Sequence, residues 1–125
     1  MGFKTLSAPA VGYTKAEFGA IFQVYSQNVY TGLFRDFSFT EYGGKYYIAF
    51  REEAGKQPLV TIEKRRLGPD KCLFVATTPG YRGQYVEIAR SEKILPFIDV
   101  LKRRLALMVS AREGRSVKNA HQGQA

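Results

Sequence analysis

Apolar residues recur along this chain with two different spacings, and the first is helical. After Thr14 they fall three and four positions apart, which is typical of an amphipathic helix with one buried side. The residues with this spacing are Phe18, Ile21, Phe22, Tyr25 and Val29. Thr14 is a residue type that caps helix starts, and Gly32 suits the left-handed conformation that ends helices. We therefore predict a helix over residues 14–31, with a strand over residues 23–30 as the alternative, since Val and Tyr also favour sheets.

The second spacing is the period of two that is typical of strands in an antiparallel sheet. It runs from residue 34 to residue 90 and is interrupted by turn sequences, of which Gly43-Gly44 is the strongest hairpin signal. The predicted strands cover residues 34–42, 45–53, 59–66, 71–78 and 84–90. The apolar side chains expected to face the core are Phe37, Phe39, Tyr46, Ile48, Phe50, Val60, Ile62, Val86 and Ile88.

A second helical stripe follows Ser91, which is suited to cap it. Its apolar members are Ile94, Phe97, Ile98, Leu101, Leu105 and Met108. Pro96 near its start indicates an irregular first turn or a start near the proline itself. The predicted fold class is α+β: a single domain with an N-terminal helix, a four- to five-stranded antiparallel meander and a C-terminal amphipathic helix. We expect a loose lead-in over residues 1–12, the domain over 13–109 and a flexible basic tail over 110–125.

The polar positions of the predicted strands are rich in tyrosine and in cations. If both helices cover one face of the sheet, the opposite face stays exposed. It would carry Tyr42, Lys45, Tyr47, Arg51, Thr61, Glu63, Arg65, Tyr85 and Glu87. Rings of this kind stack on unpaired bases, and cations neutralise phosphates.

Arg82 adds a cation in a glycine-containing loop, where the backbone can approach a phosphate closely. The candidate residues for binding single-stranded DNA or RNA are Lys45, Tyr47, Arg51, Arg65, Arg82 and Tyr85. The alternative interpretation is an ordinary charge-balanced sheet, in which Glu63 and Glu87 pair with neighbouring cations across strands.

The formal net charge is +8 and the isoelectric point is about 9.7, with the excess spread over the whole chain. A field of this sign favours polyanionic partners, above all nucleic acid. The chain has one cysteine, Cys72, which we expect to be a buried small apolar residue, and one histidine, His121. Common catalytic arrangements and zinc ligand sets are therefore excluded, and no glycine-rich phosphate loop is present. We expect no enzyme activity, no metal and no cofactor.

The chain contains no run of about 20 apolar residues and no secretory pattern at its N-terminus, so we expect a cytoplasmic protein without a membrane partner. Its motifs include residues 32–37 (Gly-Leu-Phe-Arg-Asp-Phe), Phe50-Arg51, Pro58 and Ile62-Glu63-Lys64. Over about residues 14–105 this order resembles an uncharacterised bacterial family known as a domain of unknown function. The resemblance implies a small bacterial cytoplasmic protein and no particular activity.

A second resemblance concerns topology. The meander over residues 34–90 followed by a helix is similar to the Pur, whirly and transcriptional-coactivator group of modules that bind single-stranded nucleic acid, with residues 44–52 and 84–88 the best-matching segments. It implies a curved sheet that presents rings and cations to unpaired strands, and also a homodimer. The competing functional hypothesis is a protein-interaction or ribosome-associated module with a protein partner. Fold analogy alone does not decide between these functions.

Overall fold

Five strands follow one another across a single antiparallel sheet in the order in which they occur in the chain. The structure is a computed structural model that describes residues 12–123. Its elements are α1 (Lys15–Tyr30), β1 (Asp36–Tyr42), β2 (Lys45–Arg51), β3 (Val60–Gly68), β4 (Lys71–Pro79), a 3-10 turn (Tyr81–Gly83), β5 (Tyr85–Ser91) and α2 (Ile94–Gly123). The predicted α+β order of helix, antiparallel meander and helix is confirmed. Apart from Gly12, the predicted lead-in over residues 1–12 lies outside the described residues.

Helix α1 begins with a capping box, because its first turn would otherwise leave amide groups without acceptors. The Thr14 hydroxyl accepts from the Glu17 amide at 3.1 Å, and a Glu17 carboxylate oxygen accepts from the Thr14 amide at 2.9 Å. Gly32 follows the helix at φ 81°, which a residue with a Cβ rarely adopts. The strand considered over residues 23–30 is therefore not formed.

The buried side of α1 is rotated from the predicted one. Its buried residues are Ile21, Val24 and Asn28, whereas Phe22 and Val29, which were expected in the core, are 44% and 43% exposed. The side-chain amide of Asn28 donates a hydrogen bond to the Val24 carbonyl oxygen at 2.9 Å. Because this polar group has a hydrogen-bond partner, Asn28 can lie in the core. An apolar stripe in the sequence does not distinguish a core position from an exposed flank of the same helix.

The sheet is regular between β1 and β2 and irregular between β4 and β5. Gly43 and Gly44 form the tight hairpin turn with φ 61° and 77°, as their sequence predicted. In β5 the register shifts opposite Ala76 and Thr77, so that Ile88 and Ala89 both join the core. Val86 was predicted to face inward but is 48% exposed. It lies at the end of the sheet beyond this bulge, where no helix covers it.

Both helices pack on the same face of the sheet. The ring centroids of Phe18 and Phe37 are 5.7 Å apart, and those of Phe74 and Phe97 are 5.6 Å apart. Four phenylalanines are fully buried in the resulting core: Phe34, Phe50, Phe74 and Phe97. Burying one such side chain contributes about 1.5–3 kcal/mol, so this aromatic layer is a major source of stability.

Helix α2 extends well beyond the predicted boundary at residue 109. The Ser91 hydroxyl accepts from the Lys93 amide at 3.1 Å, and Pro96 lies in the first turn, where an amide has no helical acceptor to lose. The backbone remains helical through Gly123, so residues 110–123 do not form the predicted flexible tail. Arg112 in this extension donates to the Gly32 carbonyl oxygen at 3.1 Å, which links α2 to the turn that follows α1.

Candidate nucleic-acid interface

The strand register brings the predicted polar residues onto one face of the sheet. Tyr47 is opposite Glu63, and Glu63 is opposite Val75. Because successive residues alternate between faces, these pairs identify the residues on the side away from the helices. We call this side the open face; its polar residues are Asp36, Ser38, Thr40, Tyr42, Lys45, Tyr47, Arg51, Thr61, Glu63, Arg65, Lys71, Thr77, Tyr85, Glu87 and Arg90. Five of the six candidate residues lie on it, and Arg82 lies in the loop before β5.

In the described part of the chain, every ring contact and ion pair between a helix and a strand lies on the opposite face. The open face nevertheless has an apolar floor at its centre. Ala49, Leu73 and Val75 are buried there, Val75 to 2% exposure. Arg65 lies opposite Leu73, and Glu63 and Arg90 lie opposite Val75, so long polar side chains border this floor.

The cations of the open face are paired with carboxylates. Glu63 accepts from Arg65 at 2.9 Å and lies 4.0 Å from the Lys45 ammonium, so a single carboxylate serves two cations. Arg51 lies 3.3 Å from Asp36 and also donates to the Ser38 hydroxyl at 2.7 Å. The alternative interpretation of the sequence was that Glu63 pairs with cations across strands. Its contact with Lys45 of β2 crosses strands as expected, whereas Arg65 lies on the same strand as Glu63, two residues further along.

Arg90 is a member of the open face that the sequence did not indicate. Counting by twos from Ile88 points Arg90 inward, but the bulge in β5 reverses its side and places it opposite Val75. Arg90 donates two hydrogen bonds to Glu87, at 2.6 and 3.0 Å. These bonds lower the pKa of the Glu87 carboxyl and raise that of the Arg90 guanidinium, because each stabilises the charged form.

The open face as a whole carries a small positive charge. Its cations are Lys45, Arg51, Arg65, Lys71 and Arg90, and its carboxylates are Asp36, Glu63 and Glu87. Lys71 is matched by Glu92, 4.0 Å away just beyond β5, so the balance is one positive charge, located where Glu63 is shared between two cations. Exposed ion pairs are worth at most about 1 kcal/mol each, so a phosphate can compete with these carboxylates.

Three tyrosines occupy separate parts of the open face. Tyr42 and Tyr85 are exposed near opposite ends of the sheet, and Tyr47 is half-buried in the second strand. The Tyr85 hydroxyl accepts a hydrogen bond from the Gln57 amide at 3.2 Å. With strands about 4.8 Å apart and residues about 3.4 Å apart along them, Tyr47 and Tyr85 are about 20 Å from each other. They cannot stack on adjacent bases, and they define the two ends of an extended path.

The loop before β5 projects a cation from a strained backbone. Arg82 has φ 61° and is the one residue other than glycine with positive φ in the described chain. Its guanidinium lies over the ring of Tyr81, 5.4 Å from the centroid, and both side chains are exposed. Within residues 12–123 it makes no ion pair, so its charge is available to a ligand.

Other chemistry is sparse in the described residues. Between Gly12 and Gly123 no group of three or more histidine, cysteine or acidic side chains is arranged to hold a metal ion. Cys72 was expected in the core but is only half-buried. It lines a groove of about 390 Å³ on the helix-covered side, beside Phe74 and Pro96.

Neither helix of the described chain has an apolar stretch long enough to cross a bilayer. Comparison of the chain with protein-family models, with curated proteins and with solved structures found no match.

Proposed function

We propose that this protein binds single-stranded DNA or RNA on the open face of its sheet and catalyses no reaction. The observation that carries the proposal is the placement of both helices on one face, which leaves the tyrosines and arginines on the other face uncovered by either helix. Exposed rings on a basic sheet are the surface that unpaired bases and phosphates require.

Binding would use two kinds of contact. Tyr47 and Tyr85 would each stack on a base, an interaction worth about 1–3 kcal/mol per base. The apolar floor formed by Ala49, Leu73 and Val75 would become accessible to base edges when the polar side chains above it turn toward phosphates. The distance of about 20 Å between the two rings requires a ligand several nucleotides long.

The electrostatic part of binding would be modest. The cluster of Lys45, Glu63 and Arg65 supplies one net positive charge, and Arg82 supplies a second at the other end of the face. Arg51 and Arg90 are each matched by a carboxylate and add little. Each phosphate that is neutralised makes the logarithm of the affinity fall by about 0.7 per logarithmic unit of salt concentration. Two such contacts therefore give a slope of about −1.4.

The experiment is a titration of the full chain against a fluorescently labelled single-stranded oligonucleotide, followed by anisotropy at several salt concentrations. The double variant Tyr47→Ala/Tyr85→Ala should weaken binding at least about tenfold, because each lost stack removes about 1 kcal/mol or more. The matched control is Tyr30→Ala, since Tyr30 is 96% exposed at the end of α1 and away from the open face.

Three results would reject the proposal. The double tyrosine variant could fold and bind as tightly as the unaltered chain, which would exclude stacking at these positions. Single strand, duplex and heparin could bind equally weakly, which would reduce the interaction to net charge. A stoichiometric protein that copurifies from nuclease-treated extract, together with no affinity for oligonucleotides, would favour the protein-interaction function instead.

A further inference from the structure

We propose that β1 is the contact surface for a second copy of this chain, and that two copies join their sheets edge to edge through it. The strand spans Asp36–Tyr42 and pairs with β2 along one side only. Its other side is paired with no strand among residues 12–123. The inference concerns the backbone edge of β1 and not the open face, although side chains of β1 such as Ser38 belong to that face, and it does not require nucleic-acid binding.

The two edges of the sheet are protected to very different degrees. Proteins protect exposed edges with bulges, prolines, lysines or a covering helix. The β5 edge carries the bulge opposite Ala76 and Thr77 and lies under helix α2. The β1 edge has an unbroken seven-pair register with β2 and contains neither proline nor lysine. It therefore retains a straight row of backbone groups suited to accept another strand.

The sequence of β1 is complementary to itself in one antiparallel register. A twofold axis at Ser38 places Phe37 opposite Phe39 of the second copy, and the same pair recurs on the other side of the axis. The same register places Arg35 opposite Glu41 twice. In one copy both of these charged side chains are exposed and neither makes an ion pair within the described residues. Moving the axis by one residue places Phe37 opposite Glu41 and loses these matches.

An incompletely covered aromatic cluster borders the same edge. Phe22 of α1 is 44% exposed and lies 5.4 Å from the ring of Phe37, which is itself half-buried. Phe18 and Tyr25 complete the group, with ring centroids 5.7 and 5.2 Å from Phe37. Joining two copies at Ser38 would bring the two clusters together on the helix-covered side and extend the apolar contact beyond the strands.

Charge also favours this edge over the rest of the surface. The chain carries a net charge of +8, so most approaches of two copies are repulsive. Residues 35–42 contain one cation, Arg35, and two carboxylates, Asp36 and Glu41. The β1 edge is thus a place where two copies meet without repulsion between cations, and it is poorly suited to a polyanion.

A cysteine placed at the proposed twofold axis tests both the contact and its register. In a Cys72→Ser background of the full chain, Ser38→Cys should form a disulfide-linked dimer under mild oxidation, because directly opposed residues have Cα atoms about 4.5–5.5 Å apart. Thr40→Cys is the matched control. Its own counterpart would lie about 14 Å away, so it should remain unlinked.

Charge reversal provides a test that needs no oxidation. Arg35→Glu and Glu41→Arg should each raise the dimer dissociation constant about tenfold or more at low salt, since each replaces two attractive pairs by two repulsive ones. Mixing the two variants should restore association, because every pair across the twofold axis is then of opposite sign. Glu53→Arg is the matched control for Glu41→Arg, because it makes the same change in net charge in the exposed loop after β2, and it should leave association unaltered.

Sedimentation equilibrium of the unaltered chain and of these variants measures whether each is a monomer or a dimer. Crosslinking at position 38 with restored association in the mixture supports the proposal. A chain that is monomeric at every accessible concentration, or equal crosslinking at positions 38 and 40, overturns it.

Discussion

The Glu63 carboxylate controls the charge of the proposed interface, which makes Glu63→Gln the most informative substitution. Its side chain is 14% exposed, accepts from Arg65 at 2.9 Å and lies 4.0 Å from the Lys45 ammonium. Glutamine has nearly the same shape and removes the negative charge that both cations now neutralise. One unit charge acting on a phosphate about 6 Å away contributes about 0.7 kcal/mol in bulk water and about 2.8 kcal/mol at the effective dielectric of a protein surface.

This range corresponds to an increase in affinity of about three- to a hundredfold, with about twentyfold as its middle. The salt slope should also steepen, from about −1.4 toward about −2.1, as one more phosphate contact becomes available. The folded chain should lose no more than about 1 kcal/mol of stability, the worth of a partly exposed ion pair.

The assay is the anisotropy titration with Glu53→Gln as the matched control. Glu53 lies in the exposed loop after β2, so its substitution makes the same change in net charge away from the open face. The control should strengthen binding much less than Glu63→Gln. Equal gains from the two variants would mean that the ligand senses only net charge. Weaker binding by a folded Glu63→Gln variant would refute the assignment of Lys45 and Arg65 as phosphate contacts.

Three further predictions concern stability and charge. Arg82→Gly should raise the free energy of unfolding by about 0.5 kcal/mol in urea melts, because relief of left-handed strain exceeds the entropy cost of glycine. The same variant should bind oligonucleotides more weakly. A loss of both stability and binding would contradict this account. Lys64→Ala should lower the free energy of unfolding by about 2–3 kcal/mol, since it leaves the poorly exposed Glu17 carboxylate without the ammonium that lies 2.6 Å away. A Glu17→Ala/Lys64→Ala double variant should lose less stability than the sum of the two single changes. Burial raises the pKa of the Tyr13 phenol above its ordinary value. Stability that depends on the neutral phenol is therefore present below about pH 10 and lost as pH rises above it, and Tyr13→Phe should flatten this alkaline decline in thermal melts.

Much of the fold follows from local signals in the sequence. The capping pair of Thr14 and Glu17 sets the start of α1, and the turn at Gly43-Gly44 sets the register of the first hairpin. Both depend on residues close together in the chain, so spacing and residue type are sufficient to predict them. The assignment of Lys45, Tyr47, Arg51 and Arg65 to one face follows from the same period of two.

The partners of these residues were less predictable. Arg51 pairs with Asp36, the residue directly opposite it on β1. Predicting this pair requires the register between β1 and β2. Arg90 reached the open face only because β5 contains a bulge. Val86 keeps the predicted face, opposite Thr78, but is exposed because it lies at the end of the sheet. A bulge inserts one residue without a reliable local signal, and a shift of one residue reverses the face of every side chain beyond it.

The amino-acid sequence by itself determined the order of helices and strands, apart from the continuation of α2 beyond residue 109, and that rings and cations alternate along the sheet, because these properties depend on neighbours in the chain. Tertiary structure decided that Lys45 and Arg65 share the Glu63 carboxylate, that Arg82 stands apart from them and that no strand among residues 12–123 pairs with the outer edge of β1. These features depend on the pairing of residues far apart in the chain. Their energies arise from distances between strands, which no local pattern specifies.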